Sequence, residues 1–465
     1  MPEMCKYRRK EIDEARILVN SDYAYPKKIP AKDGTSSAVW IDKDTVFKRK
    51  LQDGNHSLNF HSTHHHVYDE FEGTFDDLAE VISYRIAKNL GTRQKVMYDG
   101  SVKEVPLVDV AEYDLAIYTN KEGVEYRGCT SKNIVPSGSI KNQMIKGCDL
   151  FNILDSSSKP KNSLTNHIKA LSLHRDKMQK FSEAPVVVDP NVEDDLIINS
   201  YFCWKIGNSD NHSGNILYVQ TEQPDGTLLL SLGSMIDNGS GWELSSPQGS
   251  VDGKALTSLE RMFETKNVEI SVNQNGNPTA VFNSDPFKHN AFHLDAGNLN
   301  GHSKHLGEEK FEYEFDLAAN MLSNQNVYDV IYNVETKFDA DSVIADLGKE
   351  KLLNYPKLLP ETIRGLTQFK SNLLSTVVAD YFCYTAFSAC VESVDQQNPS
   401  ELYQNFQQEM LQMPLQPNVE SYMQAFLNIA DQNQVEVNLE GLNNINFLPK
   451  NELTQIADPN EGCNQ

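Results

Sequence analysis

"GNSDNHSGNILYV" runs from Gly207 to Val219. Within a few positions it sets Asp210, His212 and Asn215 in a loop, and an apolar, strand-like run follows at once. Upstream, "EDDLIINSYFCWKIG" (193–207) reads as a helix that stops near Gly207. Downstream, "NILYVQ" (215–220) reads as a strand, "EQPDG" (222–226) as a turn and "TLLLSLGSMID" (227–237) as a second strand. In an antiparallel hairpin the start of the first strand lies beside the end of the second. Asn215 and Asp237 are therefore expected at one edge, with Asp210 five residues before Asn215.

Two carboxylates and an amide oxygen converging at a strand edge suit a hard, oxygen-seeking cation such as Mg²⁺. Phosphoryl transfer needs such a set: one Asp at the attacking hydroxyl, with an Asn and a second Asp holding the metal on the phosphates. The Asp210–Asn215 spacing matches a kinase catalytic loop, and "MIDNGSGWE" (235–243) stands where a second metal-binding acid is needed. Each fragment alone reads more plainly as an Asx-rich turn capping a hairpin. The hairpin that joins them favours phosphoryl transfer. "LSLHRDKMQKF" (171–181) carries a more familiar His174-Arg175-Asp176 triplet, but Phe181 stands where Asn is required and no strand pair follows closely. It is read as a solvated helix face.

A nucleotide site also needs a cation on the phosphates, usually a strand lysine paired with a helix glutamate. "GTSSAVWIDKDTVFKRKL" (34–51) reads as two strands joined at Asp42-Lys43-Asp44. Lys48 and Lys50 share one face of the second strand, and Lys48, directly after Val46-Phe47, is the preferred candidate. "TFDDLAEVISYRIAKNLG" (74–91) is the clearest helix, with a Thr74/Asp77 capping pattern and a Leu78/Ile82/Ile86/Leu90 stripe. Glu80 on it is the candidate partner, although it lies off the stripe, as a solvated residue would. "DGTSS" (33–37) could offer backbone N–H groups at Gly34, Ser36 and Ser37 to phosphate; alone it is more simply an ordinary loop. "HSTHHH" (61–66) lacks spaced metal partners and reads as a surface loop.

The chain of 465 residues is too long for one core and implies two or three units. "EVPLVDVAEYDLAIY" (104–118) and "VEYRGCTSKNIV" (124–135) add strands, so the first 140 or so residues should form a mixed, mostly antiparallel sheet with one major helix. Residues 5–20 read as a short amphipathic helix, "DSSSKPKNS" (155–163) as a linker, and the chain beyond about 145 as mainly helical. The stretch 391–465 is rich in Gln and Asn and acidic, yet "SYMQAFLNIA" (421–430) within it is helical in pattern. A net charge of -23 argues against broad electrostatic binding to nucleic acid. Seven scattered cysteines without a CxxC pair fit reduced thiols. The N-terminal stretch lacks the apolar core of a secretory signal, and no run approaches the ~18 apolar residues of a transmembrane segment. A cytoplasmic protein is the expectation; an effector exported by a specialised system would have the same composition.

"GNSDNHSGNILYV…MIDNGSGWE" resembles the D-x-H-x-x-N and D-N-G signatures of HipA-like bacterial kinases, to which the phosphatidylinositol 3/4-kinases are related. "DLAEVISYRIAKNLG" resembles their αC-type helix and "RGCTSKNIV" the strand leading to the interlobe hinge. The likeness spans roughly residues 30–240. It implies an α+β, two-lobed protein-kinase-like fold: an N-lobe (1–145) with a small mixed sheet and one major helix, and a larger, mainly helical C-lobe (146–390); the acidic, Gln/Asn-rich helical extension (391–465) is read from its composition and has no counterpart in the family pattern. It implies ATP and Mg²⁺ as cofactors and a serine/threonine protein kinase acting on a protein substrate. By carry-over Asp210 is the catalytic base, His212 orients its loop, Asn215 and Asp237 bind Mg²⁺, and Lys48 meets phosphate. A lipid kinase is the alternative enzyme, disfavoured by low basicity. A nucleotide-binding scaffold is the alternative outside catalysis, disfavoured by the intact acidic set.

Overall fold

The computed structural model describes residues 37–42, 45–50, 75–119, 125–154, 164–208, 213–242, 268–272, 278–282, 312–347, 360–390, 399–445 and 447. The expected helix at 5–20, the histidine run at 61–66, the linker at 155–163, and Gly34, Ser36, Asp210 and His212 lie outside them.

The first strands are rich in the β-branched and aromatic residues that fit a pleated surface. β1 (Ser37–Asp42) and β2 (Thr45–Lys50) form an antiparallel hairpin with Asp42 opposite Thr45. With β5 (Tyr113–Thr119) and β6 (Glu125–Lys132) they make a four-stranded sheet in the order β1-β2-β6-β5. Every neighbouring pair in it is antiparallel, so the sheet is not mixed. Helix α1 (Phe75–Asn89) packs on β5, β6 and β2. Its residues 77 to 83, including Asp77, Glu80 and Ser83, are all buried. Over these two turns the helix is buried on every side and has no solvated face for Glu80 to occupy.

The expected strand over 104–118 is interrupted. β3 (Thr92–Val96) and β4 (Val102–Pro106) form their own hairpin, and β5 begins only at Tyr113. Between β4 and β5, Leu107, Val108, Val110 and Ala111 are buried, and the backbone bonds elsewhere: Leu107 N–H to Gly91 O and Ala111 N–H to Met235 O. A continuous apolar run looks like one strand in sequence whether or not its backbone stays in one ladder.

A second sheet is the mixed one. β7 (Gln143–Lys146), β9 (Leu217–Glu222), β10 (Leu228–Leu232) and β8 (Val186–Val188) lie in the order β7-β9-β10-β8, with only β10 and β8 parallel. Around it are α2 (Gly147–Phe151), α3 (Leu164–Gln179) and α4 (Val192–Lys205). From Leu196 to Trp204, α4 buries Leu196, Ile197, Ile198, Tyr201, Phe202, Cys203 and Trp204, each large apolar side chain contributing roughly 1.5–3 kcal/mol. A further hairpin, β11 (Val268–Val272) and β12 (Pro278–Phe282), follows.

The remaining described elements are helices: α5 (Glu312–Ser323), α6 (Gln325–Lys337), α7 (Ala340–Leu347), α8 (Pro360–Cys390), α9 (Pro399–Met410), α10 (Val419–Gln432) and α11 (Leu439–Asn443). The 31-residue α8 is their axis; α5, α7, α9, α10 and α11 all pack on it. Asparagine begins three of these helices. Asn324, Asn418 and Asn438 accept backbone N–H bonds from Val327, Ser421 and Gly441, caps worth about 1 kcal/mol each. Part of the asparagine richness after 390 is therefore capping. No helix among the described residues is long and apolar enough to cross a membrane.

Candidate functional site

Helix α4 ends where the sequence places its stop. Gly207 adopts φ +68, a left-handed conformation that glycine enters without a Cβ penalty. The chain then enters the loop at Asn208, which is 2% exposed and donates its N–H to Cys203 O at 2.8 Å. Burial pushes the Cys203 thiol up to about 12, so it serves here as an inert packing group.

The far end of the loop is fixed by α2. Cys148 N–H bonds Ser213 O at 3.0 Å and Gly147 N–H bonds Ile216 O at 2.8 Å. This approach requires glycine: a Cβ on Gly147 would lie 2.7 Å from Ser213 O and 3.0 Å from the His167 ring. His167 Nδ1 lies 2.7 Å from Tyr218 Oη, with both rings fully buried. Burial drives His167 down to about 3 and Tyr218 upward, leaving a neutral pair that braces β9 against α3. Asn215 is half-buried just ahead of β9.

The second predicted strand is shorter than expected. Its ladder with β9 ends at Leu232, with one further bond from Gly233 N–H to Leu217 O. Met235 then bridges to Val110, donating its N–H to Asp109 O at 2.7 Å. Asp237 follows at φ 60, ψ 47 and begins a 3₁₀ turn, Asn238–Ser240. A left-handed non-glycine residue costs on the order of 1–3 kcal/mol and persists only when its surroundings hold it. Here they do. Glu80 Oε2, 1% exposed on α1, accepts Asn238 N–H at 2.8 Å. Asn208 Nδ2 donates to Asp237 O at 3.2 Å and Asn238 Oδ1 at 3.3 Å. Gly241 N–H bonds Asn238 O at 2.9 Å, and Trp242 N–H bonds Ile206 O at 2.5 Å.

Asn215 and Asp237 thus flank the same end of the β9–β10 hairpin, but they lie beyond the ladder instead of opening and closing it. Glu80 is brought to the Asp237–Asn238 turn. Lys48 sits in β2 opposite Cys129 of β6, and Ser37 opposite Lys50; their side chains lie outside the described residues. The described members of the set, Asn215 and Asp237, are oxygen donors of the kind a hard cation takes. Among the described residues no cluster of three His, Cys, Asp or Glu forms a metal site of its own. The His174-Arg175-Asp176 triplet lies on α3, where Arg175 and Asp176 pair with each other on an exposed face.

Sequence reading missed Asn208 and Gly147, which hold the two ends of the loop. It also missed two charge clusters. Lys95 on β3 reaches Asp189 at 3.2 Å and Asp195 at 2.5 Å, and Arg93 reaches Asp195 at 2.6 Å, tying the β3–β4 hairpin to the start of α4. Lys205, 1% exposed, bonds Glu335 at 2.7 Å beneath a cavity of about 180 Å³ whose other lining includes Asp341 and Arg364. Only the run of acids opening α4 hinted at the first; nothing in the sequence marks the second.

No protein-family model matches the chain, and no curated protein matches it significantly. Among solved structures it is similar to the crystal structure of a Helicobacter pylori proinflammatory kinase, CtkA, at 13% identity and a TM-score of 0.36, with 74% of this chain and 92% of that one covered. So distant a likeness carries no weight below; the residues do.

Proposed function

We propose that the chain is an ATP- and Mg²⁺-dependent phosphotransferase with a two-lobed, protein-kinase-like arrangement, transferring the γ-phosphate to a serine or threonine hydroxyl of a protein. The observation that carries this reading is the Asp237–Asn238 turn. A strained acid at the end of the hairpin is held between a buried glutamate of α1 and the residue that opens the Asp210 loop. Aspartate enters the left-handed region in ordinary turns as well; what favours a site here is that the turn is tied to two distant elements, one of which carries the candidate catalytic loop.

In this reading Asn215 and Asp237 would hold Mg²⁺, which would supply neutralisation of the charge on the phosphates of ATP. Asp210 accepts the proton of the attacking hydroxyl and His212 orients its loop. Lys48 contacts phosphate, and backbone N–H groups of Gly34, Ser36 and Ser37 line the nucleotide. Glu80 acts on the metal side through Asn238. The test is transfer of labelled phosphate from ATP, to the chain itself and to a generic protein substrate. Wild type should incorporate label in the presence of Mg²⁺ and Asp210→Ala should not. Equal incorporation by both would refute the assignment.

A further inference from the structure

The peptide unit joining Asp237 to Asn238 is gripped on both edges. Its N–H is taken by Glu80 Oε2 at 2.8 Å, and its carbonyl oxygen by Asn208 Nδ2 at 3.2 Å. The two grips come from widely separated upstream parts of the chain, one from α1 and one from the root of the loop after α4. We propose that Asn208 is a positioning residue for the metal-binding carboxylate of Asp237, a role that rests on the phosphotransferase reading above.

Three features support it. Asn208 is 2% exposed, so its amide serves the interior and not solvent. Nδ2 has two acceptors on the turn, Asp237 O and Asn238 Oδ1, and a longer contact to Cys203 Sγ at 4.0 Å on α4, a set that favours one orientation of the amide. Its own N–H is anchored to Cys203 O in the last turn of α4, so the grip is transmitted from a buried helix. Asp237 stands at φ 60. Released on the carbonyl edge, the segment would be free to relax toward negative φ, which would redirect the carboxylate. Asn208 touches neither metal nor substrate in this account. It sets where Asp237 can point, and partners of metal ligands commonly hold about 10- to 100-fold in affinity.

The experiment uses the full chain with Mn²⁺ as the probe, titrated in the presence of saturating ADP and followed by the paramagnetic signal of free Mn²⁺. Asn208→Asp matches the native shape but turns an acceptor toward Asp237 O; Asn208→Ala removes the donor. Both should weaken Mn²⁺ by about tenfold or more, toward the level of Asp237→Ala, while metal-free ADP affinity stays within about twofold. General loosening would not separate those two readouts. Should Asn208→Ala fail to fold, the shape-matched Asn208→Asp decides, with Asn208→Ser, which keeps a donor, expected to fall between it and wild type. Folded Asn208→Asp binding Mn²⁺ as wild type does would overturn the role and leave the phosphotransferase reading standing. Wild type that binds no Mn²⁺ with ADP would overturn both.

Discussion

Replacing Glu335 by alanine should destabilise the helical part of the chain by about 3–5 kcal/mol, the usual cost of removing one partner of a buried ion pair. Lys205 is 1% exposed at the end of α4, and its Nζ bonds Glu335 Oε2 at 2.7 Å, Thr367 O at 3.1 Å and Ser371 Oγ. Tyr201 Oη donates to the other Glu335 oxygen at 2.5 Å. Without the carboxylate, an ammonium and a phenol are left buried with fewer acceptors. For a cooperative unit of about 150–250 residues this corresponds to a fall in Tm of roughly 6–20 °C. Urea unfolding followed by tryptophan emission should report it, since Trp204 is buried in α4 beneath Lys370 at 4.4 Å. Burial lowers the Lys205 pKa, and Glu335 opposes that shift. Removing Glu335 lowers it further, so the unfolded chain then holds the proton more tightly than the folded one. Stability of Glu335→Ala should therefore recover as pH rises from 7 toward 10. Lys205→Met combined with Glu335→Met should be more stable than Glu335→Ala alone, because an apolar replacement leaves no orphan charge. A loss below about 1 kcal/mol for Glu335→Ala, or a double variant no better than the single one, would refute the reasoning.

Asp380, fully buried on α8, accepts from Gln407 on α9 at 2.7 Å, and burial raises its pKa to about 7. Its folded pKa exceeds the unfolded value, so its contribution is greatest below about pH 4 and is lost as pH rises to about 7, a span on the order of 4 kcal/mol. Asp380→Asn keeps an acceptor for Gln407 and cannot titrate; its unfolding free energy relative to wild type should climb between pH 5 and 8, and a difference constant across that range would sink the assignment. Gly147→Ala places a Cβ 2.7 Å from Ser213 O, so the loop end or α2 must shift. The cost should be about 1–3 kcal/mol by chemical denaturation. Phosphate transfer should be impaired more than stability alone accounts for, and a variant active at the wild-type rate would separate the loop's far end from the chemistry.

The elements that the sequence made legible are those whose periodicity is local. Helix α4 was expected at 193–207 and runs Val192–Lys205; the hairpin of β1 and β2 and the helix around 421–430 follow their apolar patterns equally closely. The misread strand at 104–118 has a different cause. Burial of Leu107, Val108, Val110 and Ala111 is visible as hydrophobicity, but the choice between continuing one ladder and bonding to Gly91 and Met235 is made by segments far away in sequence. The same holds for the end of β10, where the apolar run continues to Met235 while the partner changes from β9 to Val110.

The candidate site divides along the same line. Spacing within one loop and across one hairpin is a sequence quantity, and it singles out Asn215 and Asp237. Glu80 was selected for its place on a helix, yet the stripe that made the helix credible argued that Glu80 faced water. That inference holds only for a helix with one buried side, and α1 is enclosed from Asp77 to Ser83. Once enclosed, a glutamate needs a donor, and the backbone N–H of Asn238 supplies one. Caps apart, bonds from a side chain to a distant backbone group have no period and no fixed spacing, so neither Glu80's grip nor that of Asn208 can be read from the order of residues. Yet both converge on one peptide unit, the one that follows the strained Asp237. The residues that name the chemistry are legible in sequence because they are close along the chain; those that aim it are not, because they come from wherever the fold supplies a buried donor or acceptor.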